Sequence, residues 1–176
     1  MAKTDPARDH VRFQEIILPH LDAAYNLARW LMRNDVDAQD VVQESCLRAF
    51  RFFEGYQGGD AKAWFLAIVR NTCRNWQSRQ TRAAEVQLFD EAAHHVAGDQ
   101  QERLVREEQL GVLRYCIEKL PPEFREVLVM RELEEMSYRE IAEVTGLALG
   151  TVMSRLSRAR KRLEDCAAGG AKEAAE

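Results

Sequence analysis

The segment from Pro121 to Leu163 carries the pattern that most restricts how this chain can fold. Two prolines at its start predict the beginning of a helix, because proline fits the first helical turn, where no backbone N–H is needed. Ser137 and Glu140 have the S-x-x-E spacing of a capping box, which begins a second helix. Gly146 predicts a left-handed residue that ends this helix. A basic helix follows, so the segment predicts a helix-turn-helix.

The expected extents of the first two helices follow from these signals. The first runs from Pro121 to about Leu133, and the second runs from Tyr138 to Val144. Apolar residues spaced by three and four positions are expected to face the core. They are Phe124, Val127, Leu128, Leu133, Ile141 and Ala142. A generic helical hairpin with a charged face is the alternative, but the capping box, the glycine and the one-sided basic face occur together.

The segment Thr151 to Arg162 contains five Lys or Arg and no Asp or Glu, in a chain with a net charge of −4. On a helix, one narrow stripe is apolar: Leu149, Val152, Leu156, Ala159 and Leu163. The opposite face carries Thr151, Ser154, Arg155, Arg158, Lys161 and Arg162. A solvated helix face usually mixes both signs of charge, which allows pairing along the helix. The pattern therefore predicts an anion as the ligand of this face.

The composition is that of one medium or two small helical domains. The chain has 176 residues, of which 46% are hydrophobic, with 4 Pro and 9 Gly. No apolar run approaches the roughly 20 residues that cross a bilayer, and the first ten residues lack the apolar core of a secretion signal. We therefore expect a cytoplasmic protein with no membrane insertion. Cysteines at 46, 73, 116 and 166 form no C-x-x-C pair, which predicts reduced, buried thiols and neither disulfides nor a zinc site.

Three further helices are predicted in the N-terminal half: Phe13 to Met32, Ala38 to Phe53 with Asp37 as N-cap, and Ala61 to about Arg79. Apolar residues become scarce between about Ser78 and Glu108, which is typical of a linker. The predicted fold is all-α, with two small helical domains joined by a flexible linker. The expected boundaries are 8–79 for the first domain, 80–108 for the linker and 109–166 for the second domain.

Two features of the N-terminal half indicate binding surfaces. The helix Ala38 to Phe53 has an inner stripe of Val42, Cys46, Ala49 and Phe53, and its outer face carries Leu47 among charged residues. An apolar anchor ringed by polar groups is typical of a protein-contact surface, although isolated exposed leucines are also common. The third helix is expected to bury Phe65, Ile68, Thr72 and Trp76 and to place Arg70, Arg74 and Gln77 on its other side. A Gly-rich aromatic loop, Phe53 to Asp60, precedes it and suits stacking on an unpaired base.

The residues of both halves resemble one known family. The stretch "DAQDVVQESCLRAFRFFEGYQGGDAKAWFLAIVRNTCRNW" is similar to region 2 of the extracytoplasmic-function (group IV) sigma factors. The stretch "LPPEFREVLVMRELEEMSYREIAEVTGLALGTVMSRLSRARKRL" is similar to their region 4. The resemblance covers nearly all of the chain outside the tails and the linker. It implies a non-enzymatic, stress-responsive protein that binds core RNA polymerase, recognises promoter DNA, helps to melt it and is held inactive by an anti-sigma factor.

The resemblance also implies roles for individual residues. Core polymerase would bind the outer face of the second helix, at Asp40, Gln43, Glu44, Leu47 and Arg51. The −10 element would be read by Phe53, Tyr56, Arg70, Asn71, Arg74 and Gln77. In the −35 element, Met153, Ser154, Ser157 and Arg158 would read bases, while Thr151, Arg155 and Arg162 would contact phosphates.

This chain departs from many relatives at two positions. Met153 stands where they carry Lys or Arg; methionine has no charge and no hydrogen-bond donor, so this position is unsuited to a guanine contact and is compatible with an apolar contact to a thymine methyl group. Ala148 stands where they often carry Pro, which makes the turn before the basic helix less preorganised.

Two other functions are compatible with parts of the sequence. A stand-alone regulator would use the same helix-turn-helix as a symmetric dimer, but it would leave the N-terminal pattern without a role. A metalloenzyme would rest on His94 and His95, which follow Asp90 and Glu91 by four residues. Adjacent histidines in a polar linker are usually only solvated, so no metal, no other cofactor and no catalytic residue is predicted.

Overall fold

The computed structural model describes residues 6–86 and 104–173, and within these residues every regular element is helical. The predicted all-α fold is thereby confirmed. His94 and His95 lie outside the described residues. The α helices are α1 (Pro6–Ile17), α2 (Leu21–Met32), α3 (Asp35–Phe52), α4 (Ala61–Val86), α5 (Leu104–Lys119), α6 (Pro122–Glu132), α7 (Tyr138–Thr145) and α8 (Leu149–Glu173). We refer to α1–α4 as the N-terminal unit and to α5–α8 as the C-terminal unit.

The first predicted helix, Phe13 to Met32, is two helices in the structure. Helix α1 ends at Ile17, a short 3₁₀ turn spans Leu18–His20, and α2 begins at Leu21. Pro19 lies inside this turn. Proline has no N–H to donate to the fourth preceding carbonyl and its ring obstructs that carbonyl, so a continuous helix is broken here.

Helix α3 begins earlier than predicted, and its cap is Asn34, so the assignment of Asp37 as N-cap is wrong. The Asn34 side chain accepts hydrogen bonds from the backbone N–H of Val36 at 2.8 Å and of Asp37 at 3.2 Å. Arg33 has a φ of 62° and ends α2 in the left-handed region. The chain therefore reverses within two residues, and α3 folds back against α2.

Helices α2, α3 and α4 pack against one another and form the core of the N-terminal unit. The largest fully buried side chains there include Leu27, Val41, Phe65, Leu66 and Val69. The buried stripe of α3 consists of Ala38, Val41, Ser45 and Ala49, whereas Val42 and Cys46 of the predicted stripe are only half-buried. Helix α4 continues to Val86, beyond the end predicted at Arg79.

The C-terminal unit confirms most of the predicted helix-turn-helix. Ser137 and Glu140 form both hydrogen bonds of the capping box, and Gly146 is left-handed with a φ of 69°. Helix α8 buries Val152, Leu156 and Ala159. The prediction of burial is wrong for two residues: Leu133 is 42% exposed and Leu149 is 43% exposed. Each lies at a helix end, where the apolar stripe has already turned away from the core.

The two units share one continuous core, because α6 packs against α2 and α7 packs against α4. Arg125 of α6 contributes to this packing. Its guanidinium donates to the carbonyl of Trp30 in the N-terminal unit at 3.1 Å and to the carbonyls of Glu118 and Leu120 at 3.1 and 2.7 Å. Burial lowers the pKa of Arg125 to about 10, so the group is still a cation at neutral pH.

Helices α5 and α8 are joined by a disulfide between Cys116 and Cys166, whose Cα atoms are 5.8 Å apart. The prediction that all four cysteines are thiols is therefore wrong for this pair. The partners are 50 residues apart in sequence, so no short spacing motif indicates that they pair. Cys46 and Cys73 are free thiols; burial raises the pKa of both, that of Cys73 to about 12, which keeps them protonated.

Reduction of the Cys116–Cys166 disulfide is expected to lower the free energy of unfolding by about 2–4 kcal/mol, because a crosslink that closes a long loop restricts the unfolded chain. Thermal unfolding with and without a thiol reductant measures the change. The double variant Cys116→Ser, Cys166→Ser is the control, and its unfolding midpoint should not respond to the reductant. A wild-type midpoint that is also unresponsive would contradict the expectation.

Candidate functional site

One face of α8 presents polar and basic side chains to solvent. Ser154, Ser157 and Arg158 are exposed, and Met153 is 51% exposed. Behind this face, Val152 and Leu156 are buried and fix the rotation of the helix about its axis. The structure therefore brings together the four residues predicted to reach bases.

The basic residues of α8 differ in how they are held. Arg160 pairs with Glu132 of α6 at 2.7 Å, so this ion pair joins α8 to α6 within the C-terminal unit. Arg162 lies over the ring of Phe124, 5.0 Å from its centroid, and Arg155 lies 3.3 Å from a carboxylate oxygen of Glu126. Within the described residues, carboxylates pair with Arg155 and Arg160 but not with Arg158. Among these four arginines, it is therefore the one most available to an external anion. Thr151, a predicted phosphate contact, is half-buried at the start of the helix.

The outer face of α3 is exposed around Leu47, whose side chain is 62% exposed. Asp40, Gln43 and Arg51 are exposed on the same helix, and Glu44 is half-buried because it pairs with Arg48. A shallow cavity of about 400 Å³ lies here. Its lining residues are Glu44, Leu47, Arg48, Arg51 and Phe52. The predicted face is thus an accessible surface with an apolar centre.

Two residues of this surface were missed from the sequence. Arg48 lines the cavity, and Phe52 lines it with a side chain that is 65% exposed. Phe52 follows Arg48 by four positions, so both fall beside Leu47 and Arg51 on a helix. Extending the outer face of α3 by this spacing would have identified both residues.

The aromatic residues of the loop before α4 are packed and not free. Phe53 is 3% exposed and Tyr56 is 8% exposed, and their rings stack with centroids 5.8 Å apart. The Tyr56 hydroxyl donates to the carbonyl of Gly59 at 2.8 Å, and its ring lies 5.1 Å from that of Trp64. In this structure neither Phe53 nor Tyr56 presents a face on which a base can stack, contrary to the predicted stacking surface.

The four predicted −10 residues of α4 separate into exposed and covered side chains. Asn71 and Arg74 are exposed. Gln77 is half-buried and donates to the carbonyl of Leu31 at 2.8 Å. Arg70 is only 4% exposed and forms two hydrogen bonds with Glu126 of α6, at 2.8 and 3.1 Å. The prediction that Arg70 lies on the open side of α4 is therefore wrong, because α6 covers that position.

Helix α4 starts at a capped end. The Asp60 carboxylate accepts a hydrogen bond from the backbone N–H of Ala63 at 3.0 Å. This bond is the main reason why the pKa of Asp60 is lowered. Because the folded pKa is the lower one, the stabilisation is present above the unfolded pKa and is lost as the pH falls through the folded pKa. At neutral pH the cap therefore stabilises the first turn of α4, the helix that also carries Asn71 and Arg74.

The described ranges contain neither a metal-binding cluster nor a membrane-spanning helix. No cluster of three or more His, Cys, Asp or Glu there is arranged to hold a metal ion. No helix in those ranges has the length and apolarity that crossing a membrane requires.

Comparison with protein families gives two matches that follow one another along the chain. Residues 16–83 match Sigma-70 region 2, and residues 110–163 match Sigma-70, region 4. The first match covers the α3 surface and the exposed residues of α4. The second match covers the helix-turn-helix, including all of the α8 face described above.

Curated relatives match over most of the chain. The chain is 34% identical over 166 residues to "ECF RNA polymerase sigma factor SigE" of Mycolicibacterium smegmatis, which covers 93% of this chain and 65% of that protein. It is 34% identical over 149 residues to "ECF RNA polymerase sigma-E factor" of Haemophilus influenzae, covering 79% and 78%. The factor of the same name in Escherichia coli K12 is 32% identical over 139 residues, covering 73% of each. The chain thus spans somewhat under two thirds of the length of the first of these relatives.

Solved structures agree with this result. The sigma factor RpoE, crystallised in complex with the anti-sigma factor NepR from Bartonella quintana, is 26% identical and has a TM-score of 0.68. That alignment covers 88% of this chain and 96% of RpoE. CnrH, in complex with the cytosolic domain of CnrY, has the same fold, with a TM-score of 0.61 at 23% identity over 91% of this chain.

Proposed function

Because this chain belongs to the ECF RNA polymerase sigma factors, with both region 2 and region 4 present, we propose that it directs core RNA polymerase to a specific set of promoters in the cytoplasm. The family is not enzymatic, and the protein acts by binding. The observation that carries the proposal is the presence of two exposed surfaces of different chemistry. The α3 surface has an apolar centre at Leu47, and the α8 surface is basic.

The α3 surface is the proposed site for core polymerase. Leu47 supplies an apolar anchor, and Asp40, Gln43 and Arg51 supply a polar rim that excludes water around it. The cavity beside Leu47 can accept a side chain of the partner. Its lining by Glu44 and Arg48 places a paired carboxylate and guanidinium at the edge, where both remain partly solvated.

The α8 surface is the proposed reader of the −35 element in the major groove. Arg158 reaches outward from the centre of this surface, and a guanidinium can donate two hydrogen bonds to a guanine. Met153 places an apolar group where a thymine methyl can be contacted. Arg155, Arg162 and Thr151 lie toward the margins and are proposed to contact phosphates, which position the helix without selecting sequence.

Asn71 and Arg74 are the exposed residues of α4 that we propose for the −10 element. Both lie on the helix that follows the aromatic loop, so they can contact a displaced strand. Arg70, Gln77, Phe53 and Tyr56 would join them only after the packing around them has changed, since all four are partly or wholly buried.

An anti-sigma factor is the proposed inhibitor. RpoE of Bartonella quintana, which shares the fold over 88% of this chain, was crystallised with such a partner. A stand-alone regulator is disfavoured, because it would leave the match to region 2 without a role.

Run-off transcription tests the proposed function. Core polymerase is incubated with fragments of the host genome, with and without this protein. The expected result is a small set of transcripts that appear only when the protein is present. Equal transcripts in both reactions would refute the function. A stand-alone regulator would instead change transcription only with a holoenzyme that already contains another sigma factor.

Leu47→Asp is expected to weaken the binding of core polymerase by about thirtyfold or more, because loss of a central apolar anchor costs about 2 kcal/mol. A titration of labelled protein with core polymerase measures the affinity. Leu113→Asp is the matched control, since Leu113 is an exposed leucine of α5 outside the proposed surface. Circular dichroism should show both variants folded. Unchanged affinity of Leu47→Asp would remove the docking surface from the proposal.

Replacing Asn71 and Arg74 together by alanine is expected to abolish promoter melting while the closed complex still forms. The reason is that the side chains proposed to hold the displaced strand are then missing. Permanganate reactivity of thymines at the start site measures melting. Arg114→Ala serves as control, because Arg114 is an exposed arginine of α5. Normal reactivity in the double variant would assign melting to other residues.

Arg158→Ala and Arg162→Ala are expected to have different effects on promoter recognition. Loss of a guanine contact at Arg158 should cost about 1–3 kcal/mol and relax the preference at one base pair. Loss of a phosphate contact at Arg162 should weaken binding to all promoters alike. It should also reduce the salt dependence of binding by the amount that about one phosphate contact contributes. Transcription from promoters substituted singly across the −35 element, at two salt concentrations, separates the two effects. A uniform loss for Arg158→Ala would show that it contacts phosphate.

A further inference from the structure

Leu149 and Met153 are exposed apolar side chains at the N-terminal end of α8. Leu149 is 43% exposed and Met153 is 51% exposed. They are four positions apart in sequence, so they lie one helical turn apart on the same side of α8. The helix contacts the core through other residues, among them Val152 and Leu156, which are buried. Leu149 and Met153 therefore form an exposed apolar pair, and we refer to them by this name.

The first turn of α8 is open around the apolar pair. Gly150 is exposed, and among the described residues nothing beyond its own turn occupies the space that a Cβ there would face. The carbonyl of Ala148 accepts from the backbone N–H of Thr151 at 2.9 Å, so the helix is already formed at this point. In a helix-turn-helix, the N-terminal residues of the second helix contact base edges in the major groove. The apolar pair thus lies on the part of α8 that would approach the bases.

The charge of α8 favours DNA as the ligand of the apolar pair over an apolar surface of another protein. The segment Thr151 to Arg162 contains five Lys or Arg and no Asp or Glu. Arg158 and Lys161 are exposed along the same helix. DNA phosphates complement these cations, whereas an apolar protein surface would leave them without partners. The ligand therefore has to combine phosphates with an apolar group.

The base edges of the major groove offer one apolar group. Leu149 has no hydrogen-bonding atom in its side chain, and the thioether of Met153 is only a weak acceptor. Guanine, adenine and cytosine present hydrogen-bond donors and acceptors in this groove, whereas thymine also presents its C5-methyl group. A polar base edge covered by Leu149 would lose water without gaining a hydrogen bond, which is unfavourable. Both positions therefore favour a base that carries a methyl group.

We propose that the apolar pair selects two C5-methylated pyrimidines, about two base pairs apart, in the −35 element. This assignment rests on the proposed function, since it takes α8 as the −35 reader, and it adds Leu149 to the residues that set the sequence. Four residues of helix rise about 6 Å, and base pairs in a duplex are about 3.4 Å apart, which gives the spacing. Thymine and 5-methylcytosine carry the same methyl group, so the apolar pair accepts both and disfavours uracil and cytosine.

Replacement of thymine by deoxyuridine in promoter DNA is the first test, because it removes the methyl group and keeps every hydrogen-bonding group of the base. Each −35 thymine, on either strand of a promoter found by run-off transcription, is replaced singly. Competition binding measures the affinity of holoenzyme assembled from core polymerase and the full-length protein. Binding should weaken about fourfold at two thymines, as expected for one buried methyl group, and should stay unchanged at the others. A −35 element in which no thymine responds would overturn the proposal.

Leu149→Ala and Met153→Ala assign the two methyl contacts to residues. Each variant should lose the response to deoxyuridine at one of the two positions and keep it at the other. Leu113→Ala is the matched control, because Leu113 is 41% exposed but belongs to α5. Its responses should equal those of the wild type. Wild-type responses in both α8 variants, with circular dichroism showing all proteins folded, would overturn the assignment to the apolar pair.

Cytosine methylation gives a second readout on the wild-type protein, so it does not depend on the folding of a variant. A cytosine placed at a responsive position should weaken binding, because its edge has no methyl group. Methylation of this cytosine at C5 should then strengthen binding about fourfold, and methylation of cytosines outside the two positions should have no effect. Equal affinities for cytosine and 5-methylcytosine at both positions would contradict selection of the methyl group.

Two results distinguish a failure of the apolar pair from a failure of the proposed function. Run-off transcription that succeeds on unmodified promoters, with no response to deoxyuridine, leaves the function standing and overturns methyl selection. If run-off transcription itself fails, the proposed function fails. The deoxyuridine series is then measured on duplexes that the full-length protein selects from a random pool at low salt. Insensitivity of these duplexes to deoxyuridine would overturn the apolar pair as a reader of DNA.

Discussion

Helix α6 is buried on every side from Phe124 to Met130, although this run contains Arg125 and Glu126. Buried charges are costly unless each finds partners, and these two find them in the rest of the molecule. Arg125 donates to three backbone carbonyls, one of which belongs to Trp30 of the N-terminal unit. Glu126 accepts from Arg70 of that unit and lies beside Arg155 of its own. The arrangement of the two units depends on these contacts as well as on the shared apolar core.

This arrangement affects the proposed binding surfaces unequally. The face of α3 around Leu47 stays exposed. The centre of the α8 face, at Ser157 and Arg158, also stays exposed. Arg70 is covered, and Arg155 is partly covered. In this arrangement the proposed polymerase surface is exposed, whereas part of the proposed DNA surface is covered.

Several features could be predicted from the sequence because they depend on a few neighbouring residues. The capping box needs only Ser137 and Glu140, and the helix end after it needs only the left-handed conformation that Gly146 adopts readily. The outward direction of Leu47 follows from the helical repeat of α3. The errors near helix ends have equally local causes: Pro19 has no N–H, and Asn34 offers a cap one residue before α3 begins. Both of these signals are local and are encoded in the sequence itself.

The sequence by itself determined the helices, the helix-turn-helix, the apolar anchor on α3 and the resemblance to the family, because each is encoded within a few helical turns. Only the tertiary structure decided that Arg70 is buried, since its partner Glu126 lies 56 residues away in sequence. The same holds for the disulfide between Cys116 and Cys166, whose 50-residue separation matches no motif. Helical periodicity states which residues share a face of one helix. It does not predict which helix covers that face. This depends on which distant apolar stripes pack against one another and on which buried charges find partners.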